Sequence, residues 1–249
     1  MIVFKDICSL LRSYAEKFET EDFINGDPSW FMHQVAGAEN QETMAFLASS
    51  LSYGSRSQFL PKIDFLLQQS ESEPYFWIKD GGFNAVFRQG DTHCYYRLYT
   101  YHDMWCFFTA YSELLNTYGT LREFVKNECA GSAKSAVEVI CKWFAAKKSK
   151  IIPKNTLSAC KRICMFLRWM VRDNSPVDLG IWSDIIDKRT LIIPLDTHVL
   201  TEAAELGLIT SRNATMQTAL KLTSTLSEIF PDDPTKGDFA LFGYGVNKN

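Results

Sequence analysis

The sequence contains no long apolar run and no C-x-x-C pair. No stretch approaches the roughly 20 apolar residues that a membrane-spanning helix needs, and the first residues lack the basic flank and cleavage site of a signal peptide. The seven cysteines are odd in number, a usage typical of reduced thiols rather than of a disulfide framework. We therefore expect a cytoplasmic protein with no membrane partner.

Glycine and proline are scarce as well, at 13 and 8 of the 249 residues. That composition excludes a collagen-like chain and a disordered one. Hydrophobic residues make up 46% of the sequence, which at this length is enough for the core of one large or two small domains. We expect a globular monomer.

Apolar residues recur at helical spacing along most of the chain, in the segments 4–14, 44–51, 63–67 and 157–171. The segment 81–100, with Gly81-Gly82 and Gly90-Asp91, predicts either a β-hairpin or an irregular connection. The pattern predicts an all-α fold in two lobes. We expect residues 1–40 and 205–249 to form a terminal helical lobe and residues 41–204 a central helical bundle.

Acidic residues are absent from the window 141–172, although the whole chain carries a formal charge of -3. Such a window is suited to neutralise nucleic-acid phosphates, and aromatic residues accompany it. The same pattern also fits a solvated helical surface, or a helical interaction protein with an acidic partner. The basic residues of the window are Lys142, Lys147, Lys148, Lys150, Lys154, Lys161, Arg162, Arg168 and Arg172.

The apolar stripe near the end of this window predicts a helix over about 156–172. Lys161, Arg168 and Arg172 fall on one side of that helix, and its cysteines and leucines fall on another. We therefore expect one face in the core and one cationic face. Lys161 is either a solvated lysine or a candidate nucleophile.

A second candidate is Asp196, which follows the apolar run 191–195 and precedes a predicted helix that ends at Gly207. Aspartate is a favoured N-cap, and capping alone explains its place. An apolar run that delivers a carboxylate to a helix start also fixes a negative charge at a partly desolvated point. A cationic reaction intermediate is stabilised at such a point.

Three segments resemble the helix-hairpin-helix DNA glycosylases, the superfamily of endonuclease III and the 8-oxoguanine glycosylases. Residues 194–199, Pro-Leu-Asp-Thr-His-Val, are similar to the segment with the catalytic aspartate. Pro153 and residues 158–162 resemble the end of the hairpin that carries the lysine nucleophile. Residues 42–54 are similar to the early helix and the turn that enters DNA. The block from Lys161 to Arg172 also resembles an uncharacterised bacterial family of unknown function.

The resemblance implies a two-lobed glycosylase-like fold with a degenerate helix-hairpin-helix motif. It implies a base-excision repair enzyme of the bacterial nucleoid, a DNA glycosylase with possible abasic-site lyase activity on double-stranded DNA that contains a damaged base. Lys161 takes the role of nucleophile and Asp196 that of catalytic carboxylate. The DNA-binding set is Lys147, Lys148, Lys150, Lys154, Arg162, Arg168, Arg172 and Tyr53, and the candidates for the base pocket are Phe239, Phe242 and Tyr244.

The sequence departs from the superfamily at the hairpin, where no glycine lies between Pro153 and Lys161. Lys161 and Asp196 are 35 positions apart, a spacing closer to the archaeal 8-oxoguanine glycosylases than to endonuclease III. No cysteine follows Cys164, so the C-terminal four-cysteine iron-sulfur cluster is excluded. The four histidines form no H-E-x-x-H motif, and we expect neither a metal nor a cofactor.

The main alternative hypothesis assumes the same helical fold but no catalytic activity. In it the chain is a non-catalytic nucleic-acid-binding helical protein, and Asp196 is only a cap. The identity of the lesion is left open, because base choice depends on residues far apart in the chain.

Overall fold

The computed structural model describes residues 4–248 and confirms the all-α fold class. Within that range it contains eleven α-helices and one two-stranded β-hairpin. The helices are α1 Phe4–Phe18, α2 Ala38–Leu51, α3 Arg56–Gln69, α4 Pro74–Lys79, α5 Tyr101–Tyr118, α6 Leu121–Glu128, α7 Ala133–Ala146, α8 Lys161–Val171, α9 Thr197–Glu205, α10 Met216–Ile229 and α11 Lys236–Asn247. Short 3-10 helices span Glu21–Ile24, Pro28–His33, Gly82–Ala85 and Lys188–Thr190.

The chain divides into two compact units. The terminal unit comprises the chain up to Asn25, Gly131–Lys134 and the chain from Thr156 onward; the central unit comprises Gly26–Ala130 and Ser135–Asn155. The boundaries therefore differ from the expected 40 and 205. Lys161 and Asp196 both belong to the terminal unit, whereas the sequence pattern placed them in the central bundle.

The core of the central unit is built around α2. Ten consecutive residues of α2, from 42 to 51, are buried, because the helix packs against α3, α4 and the 3-10 helix Pro28–His33. Phe46 of α2 meets Phe107 of α5 and Phe144 of α7, with ring centroids 5.5–5.8 Å apart. This aromatic cluster holds the middle of three helices together.

A buried carboxylate fixes the start of α6 in the same unit. The side chain of Glu42 accepts hydrogen bonds from the backbone N–H groups of Leu121, at 2.8 Å, and Arg122, at 3.1 Å. Thr120 caps the same helix by accepting from the N–H of Glu123. The N-terminal N–H groups of a helix have no partner inside the helix, and this arrangement satisfies three of them.

The segment 81–100 ends in a short β-hairpin, one of the two structures that its sequence predicts. β1 (Cys94–Tyr96) pairs with β2 (Tyr99–Thr100) in antiparallel register. Arg97, at the turn, has a left-handed φ of 52°. The hairpin leads directly into α5, where Thr100 and Asp103 form a capping box.

In the terminal unit α11 packs along α1 and against α9. The contact is aromatic: the ring of Phe242 lies 5.8 Å from that of Phe18, and Tyr244 lies 6.3 Å from Tyr14. Gly243 permits the close approach, since a Cβ atom there would lie 2.4 Å from the Phe18 ring. The C-terminal helix is therefore part of the core of this unit.

Membrane-spanning helices and metal-binding clusters are not found among the described residues. None of the helices between residues 4 and 248 combines the length and apolar character that a bilayer crossing demands. In the same range no cluster of three or more histidine, cysteine or acidic side chains has a metal-binding arrangement. All seven cysteines are free thiols.

Candidate active site

The two residues singled out as catalytic meet in the structure. The Nζ atom of Lys161 lies 3.0 Å from Oδ2 of Asp196, and the two side chains are 33% and 35% exposed. Both values matter, because the pair is neither sealed in the core nor fully solvated. Both charged groups are therefore partly accessible to solvent.

Lys161 owes its position to a late helix start. The sequence predicts a helix from about residue 156, and this boundary is wrong: α8 begins at Lys161 itself. Residues 156 and 157 form a turn instead. The two residues after the turn pair with the segment that leads to α10: Ser158 bridges Thr215, and the N–H of Ala159 donates to Ala214 O at 3.3 Å. Cys160 then turns the chain with a left-handed φ of 47°.

Asp196 is delivered by the buried run 191–195, as the sequence predicts. It is the N-cap of α9, and its Oδ1 atom accepts from the N–H of Val199 at 2.9 Å. Burial by itself would raise the pKa of Asp196, but the Lys161 ammonium and the Val199 N–H outweigh burial and lower it. Asp196 is therefore a carboxylate at neutral pH.

Helix dipoles explain why the pair is matched. Lys161 occupies the first position of α8, where the positive end of the helix dipole disfavours a cation. Asp196 precedes α9, where the positive end of that helix favours an anion. The Asp196 carboxylate thus offsets the unfavourable interaction of the Lys161 ammonium with the dipole of α8.

The prediction that Arg168 and Arg172 form an exposed cationic face of α8 is wrong. Their side chains are only 4% and 1% exposed. Arg172 reaches Glu19 at 2.6 Å and Asp233 at 2.8 Å, and it also pairs with Asp178. Buried guanidinium groups that are saturated by carboxylates cannot bind phosphates.

Asp178 and Asp238 complete this buried network. Asp178 is fully buried and pairs with both arginines, at 3.4 Å from Arg168. Asp238, in the first turn of α11, pairs with Arg168. Burial raises the pKa of Asp238; the Arg168 guanidinium opposes this, and the nearby Asp196 carboxylate adds to it. Sequence reasoning missed Asp238, although a lone carboxylate in an apolar C-terminal helix was the available signal.

The three aromatic candidates for a base pocket are structural. Phe239 is fully buried, and the guanidinium carbons of Arg168 and Arg172 lie 4.6 and 5.3 Å from its ring centroid. It cannot stack on a base, so its predicted role is wrong. The half-buried rings of Phe242 and Tyr244 pack on α1, as described above.

The remaining basic candidates are at the surface. Lys147 pairs with Glu113, and Lys150 lies 3.0 Å from Asp103. Lys148 and Lys154 are exposed, and neither pairs with a carboxylate among the described residues. Arg162 is half-buried, next to Lys161 at the start of α8. Of the basic residues in the predicted DNA-binding set, these five remain at least partly accessible.

Tyr53 follows α2, in the turn that the resemblance places against DNA. Its ring contacts those of Tyr96 and Tyr99 of the hairpin, with centroids 5.1 and 5.5 Å apart. The guanidinium carbon of Arg97 lies 5.4 Å from the Tyr53 ring. Tyr53 is therefore half-buried beside the hairpin rather than projecting from a free turn.

The fold and the site define an all-α protein with an accessible lysine and aspartate pair at two helix starts. Residues 27–247 match the model of a family described as a protein of unknown function, DUF2400. The chain belongs to this family, since the match covers most of its length. No curated protein matches the chain, and no solved structure matches it either.

Proposed function

We propose that this protein is a DNA glycosylase with abasic-site lyase activity, a base-excision repair enzyme that acts on an oxidised or otherwise damaged base. One observation carries the proposal: the Lys161 ammonium and the Asp196 carboxylate, 35 positions apart in sequence, lie 3.0 Å apart and partly exposed. These are the two groups that the resemblance to the helix-hairpin-helix glycosylases assigns to nucleophile and carboxylate. The glycosylase-like fold with a degenerate hairpin is part of the same proposal.

The chemistry begins with a proton transfer inside the pair. Asp196 accepts a proton from Lys161, and the free amine attacks C1′ of the everted nucleotide. The bond between C1′ and the base nitrogen breaks, the bonding electrons leave with the base, and Asp196 returns the proton to the departing base. As Asp196 gives up this proton to the departing base, the carboxylate that forms stabilises the positive charge that develops on the sugar in the oxocarbenium-like transition state.

The lyase step follows from the covalent adduct. Ring opening of the sugar gives a Schiff base between Lys161 and C1′. A base removes the C2′ proton, and the C3′–O bond breaks with the 3′-phosphate as leaving group. Water then releases the lysine and the unsaturated sugar. Everting the nucleotide beforehand costs a few kcal/mol, and less for a damaged base.

The variant Asp196→Asn distinguishes a DNA glycosylase from a non-catalytic DNA-binding protein. Asparagine caps a helix as well as aspartate does, so Asp196→Asn keeps the fold but cannot accept the lysine proton. We expect single-turnover base release from an 8-oxoguanine duplex to fall by about 10²–10³-fold, with unchanged duplex affinity. The measurement is base release under excess enzyme, beside anisotropy binding.

Asp187 provides the matched control for this experiment. It too caps a helix, by accepting from the N–H of Arg189 at 2.9 Å, and it pairs with Arg189. Asp187→Asn removes a capping carboxylate that pairs with an arginine and not with Lys161, and it is expected to keep full activity. Equal losses in both variants would contradict a catalytic role for Asp196.

The buried arginines change the expected salt dependence of DNA binding. If all nine basic residues of the window 141–172 met phosphates, log K would fall with log salt at a slope of about -8. Two of them are buried, and Lys147, Lys150 and Lys161 are paired with carboxylates. We expect a slope of about -2 to -4 for an undamaged duplex between about 50 and 200 mM salt. A slope steeper than about -6 would mean that the paired lysines also reach phosphates.

A non-catalytic nucleic-acid-binding protein is the second candidate. The favouring observation is that Asp196 already has a structural task, the cap on the N–H of Val199. In that case Lys161 serves only to neutralise the cap. Duplex binding without base release in the wild-type protein would select this alternative.

A further inference from the structure

A second ion pair lies on the same face of α8 as the pair of Lys161 and Asp196. Arg168 follows Lys161 by seven positions, which is about two turns or about 10 Å along the helix axis. Arg168 pairs with Asp238 in the first turn of α11. Asp196 caps α9, and α9 packs against α11. The terminal unit thus sets two carboxylates, from the starts of two packed helices, against two cations of one helix face.

The charges of the first pair act on Asp238. Burial raises the pKa of Asp238 and is the largest effect; the Arg168 guanidinium opposes it, and the Asp196 carboxylate adds to it. Lys161 lowers the pKa and Asp178 raises it, both to a smaller degree. The net change in the pKa is upward. Asp238 therefore lies within electrostatic reach of both members of the first pair.

Asp238 is the most open of the carboxylates that pair with the two buried arginines. Its side chain is 19% exposed, against 10% for Asp233 and Glu19 and 0% for Asp178. Arg168 binds Oδ2 of Asp238, and no hydrogen-bond donor within residues 4–248 binds Oδ1. Oδ1 is therefore available to accept a proton.

The lyase step described above needs a base at C2′, one bond away from the C1′ atom that Lys161 holds. Two carboxylates are candidates, and their surroundings shift their pKa values in opposite directions. The pKa of Asp196 is lowered by Lys161 and by the Val199 N–H, whereas burial raises the pKa of Asp238. Such a difference assigns different proton-transfer roles to two carboxylates of one site. Asp238 is the stronger base of the two.

We propose that Asp238 is the catalytic base that removes the C2′ proton, a role that rests on the proposed lyase function. Oδ1 of Asp238 takes the proton, and the electrons of the C2′–H bond form the double bond between C2′ and C3′. The C3′–O bond breaks, and its electron pair leaves with the 3′-phosphate. Asp238 then passes the proton to solvent. Arg168 holds the carboxylate in place throughout.

The test uses a 5′-labelled duplex with a preformed abasic site, so that base release plays no part. Borohydride trapping measures the Schiff base, and a denaturing gel without borohydride measures strand cleavage, both with enzyme in excess. Asparagine still hydrogen-bonds to Arg168 but accepts no proton at neutral pH. Asp238→Asn is therefore expected to be trapped as well as the wild-type protein and to cleave the strand about 10²-fold more slowly.

Three variants make the test specific. Asp238→Glu keeps a carboxylate and is expected to cleave at least about tenfold faster than Asp238→Asn. Asp233→Asn is the matched control, because Asp233 belongs to the same buried network but pairs with Arg172; its trapping and cleavage should be normal. Asp196→Asn is expected to lower trapping and cleavage equally, since Asp196 acts on Lys161 before the elimination.

The outcomes separate this role from the proposed function. Trapping in the wild-type protein, together with wild-type cleavage by Asp238→Asn, would overturn the role of Asp238 alone. An equal loss of trapping and cleavage in Asp238→Asn would also overturn it, because Asp238 would then serve the site and not the elimination. A loss of cleavage alone in Asp196→Asn would assign the proton transfer to Asp196 instead. Absence of trapping in the wild-type protein would overturn the lyase function, and this role with it.

Discussion

Sodium borohydride is expected to trap wild-type protein on a duplex that contains 8-oxoguanine or an abasic site, and to trap none of the Lys161→Ala variant. The reductant converts a Schiff base between Lys161 and C1′ into a stable amine. No other lysine among the described residues lies beside Asp196. The adduct is measured as a band of reduced mobility on a denaturing gel, and its loss should be complete within detection.

Two further variants decide how such a result is read. Lys161→Arg keeps the positive charge next to Asp196 but supplies no nucleophilic amine, so it is expected to bind the duplex and to form no adduct. Lys221→Ala removes an exposed lysine of α10 that lies outside the proposed DNA-binding set, and this variant should be trapped normally. An undiminished adduct in Lys161→Ala would remove the lysine from the mechanism. Absence of an adduct in the wild-type protein would leave the binding-protein alternative.

Removing the guanidinium of Arg172 is expected to cost about 3–5 kcal/mol of unfolding free energy. Burial would lower the pKa of Arg172, but the carboxylates of Asp178, Asp233 and Glu19 raise it, so the arginine is charged. In Arg172→Met the side-chain volume is nearly kept while the three carboxylates lose their shared cation inside the terminal unit. The urea unfolding midpoint, followed by tryptophan fluorescence, measures the loss.

Arg189→Met is the matched control for this loss. Arg189 also pairs with a carboxylate, that of Asp187 at 2.6 Å, but its side chain is 66% exposed. Exposed ion pairs are screened by water and contribute little to stability, so the midpoint should hardly move. If Arg172→Met proved as stable as Arg189→Met, apolar packing could replace the buried ion pairs of Arg172. The predicted contribution of these ion pairs to stability would then be wrong.

The pairing of Lys161 with Asp196 shows what a local motif can predict. A buried apolar run that ends in aspartate and begins a helix specifies an N-cap carboxylate from its own residues, because capping needs only the next three positions. The proximity of Lys161 was expected from resemblance alone. Its exact place was not, since the left-handed Cys160 and the pairing of Ser158 with Thr215 delay α8 by about one turn.

The arginines show the limit of the same reasoning. Helical spacing places Lys161, Arg168 and Arg172 on one face, and it cannot tell whether solvent or carboxylates cover that face. The partners of Arg172 decide this, and Asp233 and Glu19 are 61 and 153 positions away along the chain. A local charge count therefore overstated the positive surface of this protein.

The sequence by itself determined the helical fold class, the capping carboxylate Asp196 and the two residue types of the candidate site. Each of these depends on spacing within a few residues, where backbone geometry leaves few alternatives. Only the tertiary structure decided which cations remain at the surface, where the two units divide and which aromatic rings are buried. Those features arise from contacts between distant segments, and their energies depend on burial that no local pattern records.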